Sequence, residues 1–141
     1  DVEDLGTTKL LRSFSAGFEI GDRFGPVWVL NSANDSWAAH VETEPSATLK
    51  LLVEANDVGM SLLSAMRTGA KRFIRIHATG PEIEANNNYE LTLDLCGTVT
   101  EVSEFSDSDG IYAIEWTFQA TYDAEWGKAL TVDVVNTLDA L

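Results

Sequence analysis

Cations are scarce in this chain: 9 Lys and Arg stand against 23 Asp and Glu, a formal net charge of −14 over 141 residues. The deficit is uneven, because residues 1–75 carry 10 acids and 8 bases whereas residues 76–141 carry 13 acids and one base, Lys128. A groove that grips nucleic acid needs clustered Lys and Arg against the phosphates, so the second half is unsuited to that task, although a surface past which nucleic acid slides is not excluded. A large net charge also keeps a protein soluble by self-repulsion. Cysteine is nearly absent. Cys96 has no partner for an internal disulfide, and Leu95 and Gly97 beside it supply no base or cation, so it reads as a small packed side chain or a quiet thiol. The two histidines, His40 and His77, stand far apart without an adjacent nucleophile. Gly-rich phosphate loops and metal-spaced Cys and His clusters are missing. No apolar run approaches the ~20 residues of a membrane span, and no signal-peptide pattern opens the chain. It begins at Asp1 rather than Met, which leaves room for residues upstream.

What the chain does have is alternation. Tyr89, Leu91, Leu93, Leu95 and Val99 oppose Glu90, Thr92, Asp94, Cys96, Thr98 and Thr100, the period-two pattern of a strand with one apolar face. Tyr112, Ile114, Trp116, Phe118, Ala120 and Tyr122 repeat it, as do Leu130, Val132 and Val134. Three long strands therefore each offer a core one apolar face and water one acidic face, as in a half-solvated antiparallel sheet. A chain of this length buries roughly 68 to 70% of its unfolded surface, enough for one domain without disulfides.

Upstream, residues 1–8 read as an extended N-terminal arm. Phe14, Ala16, Phe18 and Ile20 form a strand face, and the turn at residues 21–25 leads into Pro26-Val-Trp-Val-Leu, which predicts a hairpin. Residues 31–45 form a long loop whose one large apolar residue is Trp37, and connections of that length are usually functional or held by a partner. After a strand at 47–53 comes the one helix, residues 56–68, with Asn56 or Asp57 as N-cap, Val58, Leu62 and Met66 on one stripe, Arg67 at its negative end and Gly69 as its stop. Residues 71–77 form the next strand, closed by Gly80-Pro81, with a polar loop at 82–88 and an acidic turn at 103–110. About seven strands and one helix are expected.

Four of the nine bases, Arg67, Lys71, Arg72 and Arg75, fall within nine residues. Asp107 and Asp109 before Gly110 have the spacing that opens a calcium loop, but no helix or later glutamate completes it, and a solvated hairpin turn accounts for them. Pairs such as Glu90 with Asp94, or Asp94 with Glu115, have the composition of an acid and base, yet solvated strand faces carry such residues routinely. No catalytic residue, cofactor or metal is expected, and the chain is not read as an enzyme.

Residues 26–31 (Pro-Val-Trp-Val-Leu-Asn), 41–51 ahead of the helix, 68–76 (Thr-Gly-Ala-Lys-Arg-Phe-Ile-Arg-Ile), and the closing run from Tyr89 through Ser106-Asp-Ser-Asp-Gly-Ile to Leu-Thr-Val-Asp-Val-Val-Asn give the sequence a layout. In that layout it resembles the major tail tube proteins of long, non-contractile-tailed bacteriophages. The resemblance covers most of the chain and implies a mainly β fold with one α-helix, an antiparallel β-sandwich or barrel. It implies a structural protein of the virion, assembled in the host cytoplasm into stacked, commonly hexameric rings that form the channel for DNA ejection. Its partners would be further copies of itself, the tape measure, terminator and distal tail proteins, and DNA passing without specific binding, with no membrane involved. A second tube domain upstream would make the rings trimeric, and related folds build contractile tails and type VI secretion tubes.

On that reading Glu90, Asp94, Glu115 and Asp133 are the candidate lumen-facing residues. Arg67, Lys71, Arg72, Arg75, Trp37, Asp107 and Asp109 are candidates for contacts between subunits. The rival reading is a β-sandwich recognition module for carbohydrate or protein, using exposed aromatics such as Trp37 or Trp126.

Overall fold

The computed structural model describes residues 3, 5–7, 10, 12–21, 24–28, 39–42, 46–84 and 87–137. The chain is mainly β, and an antiparallel sheet curls into a half-barrel. Its strands are β1 (Ser13–Gly21), β4 (Ser46–Glu54), β5 (Arg72–Glu84), β6 (Asn87–Val102), β7 (Ser106–Ser108), β8 (Ile111–Ala120) and β9 (Leu130–Val135), in the order β1-β4-β8-β6-β5 with β7 paired to β8 and β9 to β6. A separate ribbon pairs β2 (Phe24–Val27) with β3 (Ala39–Glu42).

β6 is the organising strand. One of its edges is taken by β5; the other is shared, with β9 along Glu90–Leu95 and β8 along Gly97–Val102. Period-two alternation on β4, β6 and β8 brings Leu49, Leu51, Val53, Leu95, Val99, Ile114, Trp116 and Phe118 into one buried cluster. Full burial of side chains of this size stabilises by ~1.5–3 kcal/mol each. Helical residues Leu62, Leu63 and Met66 cover the cluster.

The helix forms in two pieces, α1 (Asp57–Met60) and α2 (Leu62–Thr68), joined at Ser61. Of the two expected caps Asn56 is the one used: its Oδ1 accepts from the N–H groups of Val58 and Gly59 at 3.0 Å each. At the other end Gly69 adopts φ 64°, ψ 23°, a left-handed stop. The Ser61 hydroxyl donates to the Val58 carbonyl at 2.6 Å, and this back-bonding marks the junction. Val58, expected on the buried stripe, is 61% exposed.

Several expectations are corrected. β1 does not form a hairpin with the described part of residues 26–30, since β2 (Phe24–Val27) pairs with β3 and residues 29–30 lie outside the described residues. β1 pairs with β4, Ala16 opposite Leu51 and Phe18 opposite Leu49, because that strand offers nine residues and a buried face, whereas β2 has four and includes Pro26. The loop 31–45 contains β3, while residues 31–38, with Trp37, and 43–45 lie outside the described residues. Within the arm, residues 5–7 form a turn. Gly80-Pro81 does not end β5, which continues to Glu84 through register shifts after Thr79; an edge strand tolerates a proline on its open side. The polar loop at 82–88 is therefore mostly strand, with Glu82 opposite Asn88. The acidic turn shrinks to Asp109-Gly110, at φ 55° and 83°, because Ser106–Ser108 folds back onto β8 as β7.

Candidate functional site: one acidic, hydroxyl-rich sheet face

Residues opposite one another in an antiparallel ladder point to the same side, so the registers assign faces. Glu90 lies opposite Thr79 and Val135, Thr92 opposite His77 and Asp133, and Asp94 opposite Arg75 and Thr131. Glu115 lies opposite Leu52, and Thr117 opposite Lys50, on the side of β8 away from Trp116 and Phe118. The four lumen candidates, Glu90, Asp94, Glu115 and Asp133, thus share one face, the reverse of the face that builds the core. Thr48, Thr79, Thr92, Thr98, Thr117 and Thr131 share it with them.

The four are not equivalent. Glu90 and Glu115 are half-buried and Asp133 is exposed, but Asp94 is 7% exposed. Arg75 donates from Nε to Asp94 Oδ1 and from Nη2 to Oδ2, both at 2.7 Å, a bidentate pair. This corrects the expectation of a solvated carboxylate at Asp94: the fold withdraws it from water and matches it with a cation. The Arg75 guanidinium is held above its usual range chiefly by the hydrogen bond to Asp94, against some desolvation, with the charges of Asp94 and Asp133 adding to it. Beside this pair the His77 ring is held between hydroxyls, Nδ1 at 2.9 Å from Thr92 Oγ1 and Nε2 at 3.1 Å from Thr79 Oγ1.

Alternation alone misplaces one acid. From Val99 it would put Glu101 on the core side, but a register shift between Val99 and Glu101 sets Glu101 opposite Thr117, on the acidic face. Glu19, opposite Thr48, also joins this face. The signal for Glu19 was in the sequence, as the residue out of phase with Phe18 and Ile20; the bulge at Thr100 had none.

The basic cluster divides. Lys71 Nζ donates to Asp123 Oδ2 at 2.9 Å and to the Tyr122 carbonyl at 3.0 Å, so Lys71 and Arg75 are both spent within the chain. Asp123 Oδ1 in turn accepts from the N–H groups of Glu125 and Trp126 at 3.1 and 3.0 Å. The Trp126 bond and Lys71 hold the Asp123 carboxyl below its ordinary value, and the hydrogen bond to Asp123 holds Lys71 above its own. This small turn lays Trp126 edge-on against Phe73, ring centres 5.8 Å apart, so Trp126 is half-buried rather than a free aromatic platform. Beneath it Cys96 is buried, and burial pushes its thiol up. Arg67, in the last turn of α2, and Arg72, at the start of β5, are exposed. Asp107 accepts from the Gly110 N–H at 3.1 Å and Asp109 occupies the turn, both exposed. Trp37 lies outside the described residues.

Among the described residues no group of three or more His, Cys, Asp or Glu is placed to hold a metal ion, and no helix is long and apolar enough to cross a membrane. The fold and this face define a class: a curled, mainly antiparallel β protein with one apolar face closed by a short helix and one acidic, threonine-rich face, onto part of which the Asp123 turn packs Trp126 against Phe73. No protein-family model matches the chain, and no curated protein matches it in sequence.

Proposed function

We infer that this chain is a structural, non-enzymatic subunit that assembles with copies of itself into rings, and that the rings stack into a bacteriophage tail tube through which DNA is ejected. The observation that carries this reading is the acidic face. Glu90, Glu101, Glu115 and Asp133 lie on one side of the sheet among threonines, and of the two cations that the described strand registers place there, Arg75 is neutralised by Asp94, leaving Lys50, while Arg12 beside β1 is paired with Glu54. A wall that passes a polyanion must not offer fixed cations on which phosphates dwell, since release of condensed counterions onto Lys and Arg is the main source of nonspecific DNA affinity. Hydroxyls and carboxylates avoid that trap. In this reading the virion tail is the site of action, and tape measure, terminator and distal tail proteins are the further partners.

The test has two parts. Negative-stain images of the purified protein over a range of concentration and salt are expected to show rings or tubes; monomers throughout would overturn the reading. Replacing Glu90, Glu115 and Asp133 by Lys in assembled particles is then expected to slow DNA ejection, and an unchanged rate would remove these positions from the channel. Asp94 is unsuitable for that experiment, because a lysine opposite Arg75 would place two cations at a site that is 7% exposed.

A second reading has its own observation. Phe105 and Tyr112 are 60% and 74% exposed and flank, with Ala55, a recess of about 310 Å³, the kind of aromatic surface a recognition module uses. It requires a persistent monomer, which the same images decide.

A further inference from the structure

We propose that the ring closes by strand pairing between the outer edge of β1 in one copy and the outer edge of β5 in the next, and that this junction is parallel. The proposal rests on the assembly reading above and names the contact. Among the described strands β1 pairs with β4 alone and β5 with β6 alone, so they terminate the sheet at its two ends. Every step along β1-β4-β8-β6-β5 is antiparallel. Four reversals return the chain to its starting direction, so β1 and β5 run the same way. A rotation about an axis along the strands preserves that direction, and an edge-to-edge contact between rotated copies is therefore a parallel pair. A two-fold dimer would instead set β1 against β1, or β5 against β5, antiparallel. The edge of β9 is a poorer terminus: β9 lies on the same flank of β6 as β8, with β4 and β1 beyond.

Side-chain parity supports the same junction. Phe14 and Ile20 of β1 are 40% and 50% exposed, and Phe18 between them belongs to the apolar face. At the far end of the sheet Ile74, Ile76 and Ala78 of β5 occupy that face, opposite Leu95, Leu93 and Leu91. Joining the edges sets these two apolar margins, half-buried at Phe18, Ile74 and Ile76 and exposed at Phe14, Ile20 and Ala78, beside one another. On the reverse face it sets Ser15, Gly17 and Glu19 beside Arg75, His77 and Thr79, so the acidic, hydroxyl-rich surface runs on from copy to copy. Long open edges are normally blunted by lysines, prolines or short length. β1 has nine residues with no Lys or Pro, and β5 runs from Arg72 to Thr79 before reaching its proline.

Paired cysteines test this. Ser15→Cys on β1 is combined in one chain with His77→Cys or with Thr79→Cys on β5, all on the acidic face, and the assembled protein is oxidised. Wild type, whose one thiol is buried, is the control. At least one pair is expected to give a ladder of crosslinked species ending at the ring number, and Ser15→Cys with Ala78→Cys, on opposite faces, none. Rings in the microscope without a ladder from either pair would overturn the junction while leaving the tube reading intact. A crosslinked dimer from Ser15→Cys alone would also overturn it, since that is the antiparallel arrangement. Absence of rings in every sample, wild type included, would overturn both.

Discussion

Asp123 shows how much one short side chain can organise. One oxygen accepts two backbone N–H groups and the other binds Lys71, which seats Trp126 on Phe73 and closes the turn over Cys96. Its folded pKa is depressed below the ordinary 3.8. Its contribution is therefore fully present above that value and is lost as pH falls through the lower folded value. Lys71 behaves in the opposite sense: raised above 10.5, it contributes below that pH and loses the contribution as pH rises through the folded value. Asp123→Asn is expected to lower the melting temperature at neutral pH and to differ progressively less from wild type as the medium is acidified below pH 4. Thermal melts at several pH values check this, and a constant difference would mean that the carboxylate charge is irrelevant. Asp94→Asn tests the other pair. Losing hydrogen bonds to a charged group costs ~1.5–3 kcal/mol, and a denaturant titration is expected to show a loss of that order, since Asp94 is 7% exposed and both of its oxygens accept from Arg75.

At the scale of elements, the α1 turn provides a prediction whose sign runs against propensity. Glycine to alanine in a helix normally gains close to ~1 kcal/mol. At Gly59, however, an added Cβ would collide with the Glu54 carbonyl oxygen and lie 3.1 Å from Val53 Cγ2, in the crowded turn that carries β4 into α1. Gly59→Ala is expected to destabilise, whereas Gly17→Ala, where a Cβ meets nothing within 4 Å, is expected to stay within ~0.5 kcal/mol of wild type. Asn56→Ala removes the acceptor of two N–H groups and is expected to cost ~1 kcal/mol. Caps and stops were legible because they depend on neighbours in sequence, as were the alternating cores of β6 and β8. Pairing was less so. β1 prefers β4 over the nearer β2 for reasons of length and burial that no local window contains, and the bulge that turns Glu101 outward depends on the strand opposite. The acidic face was legible in part: parity identified Glu90, Glu115 and Asp133, but the burial of Asp94 needs Arg75 nineteen residues earlier to be placed beside it.

For the molecule as a whole, the decisive quantity is the balance between a net charge of −14 and the few cations left for contacts. Lys71 and Arg75 are engaged within the chain, so a reversal of Lys71 would disturb the Asp123 turn before it tested any neighbour. Arg67 and Arg72 are the better probes of attraction between subunits, with Asp107 and Asp109 as exposed acids on another part of the surface. Two effects then compete in the salt dependence of assembly. Repulsion between acidic copies reaches ~30 Å at 0.01 M salt and only ~8 Å at 0.15 M, so it weakens assembly most in dilute buffer. Attraction between a base and a neighbour's acid weakens as salt rises. With 23 acids against 9 bases the repulsion has many more members, and assembly yield, followed by light scattering, is expected to rise between these two salt concentrations. If Arg67 and Arg72 also meet acids of a neighbour, replacing both by Glu lowers the yield at 0.01 M more than at 0.15 M, because a lost attraction and an added repulsion are both screened at the higher salt. Equal yields for wild type and the double variant at both concentrations would show that Arg67 and Arg72 meet no acid of a neighbouring copy.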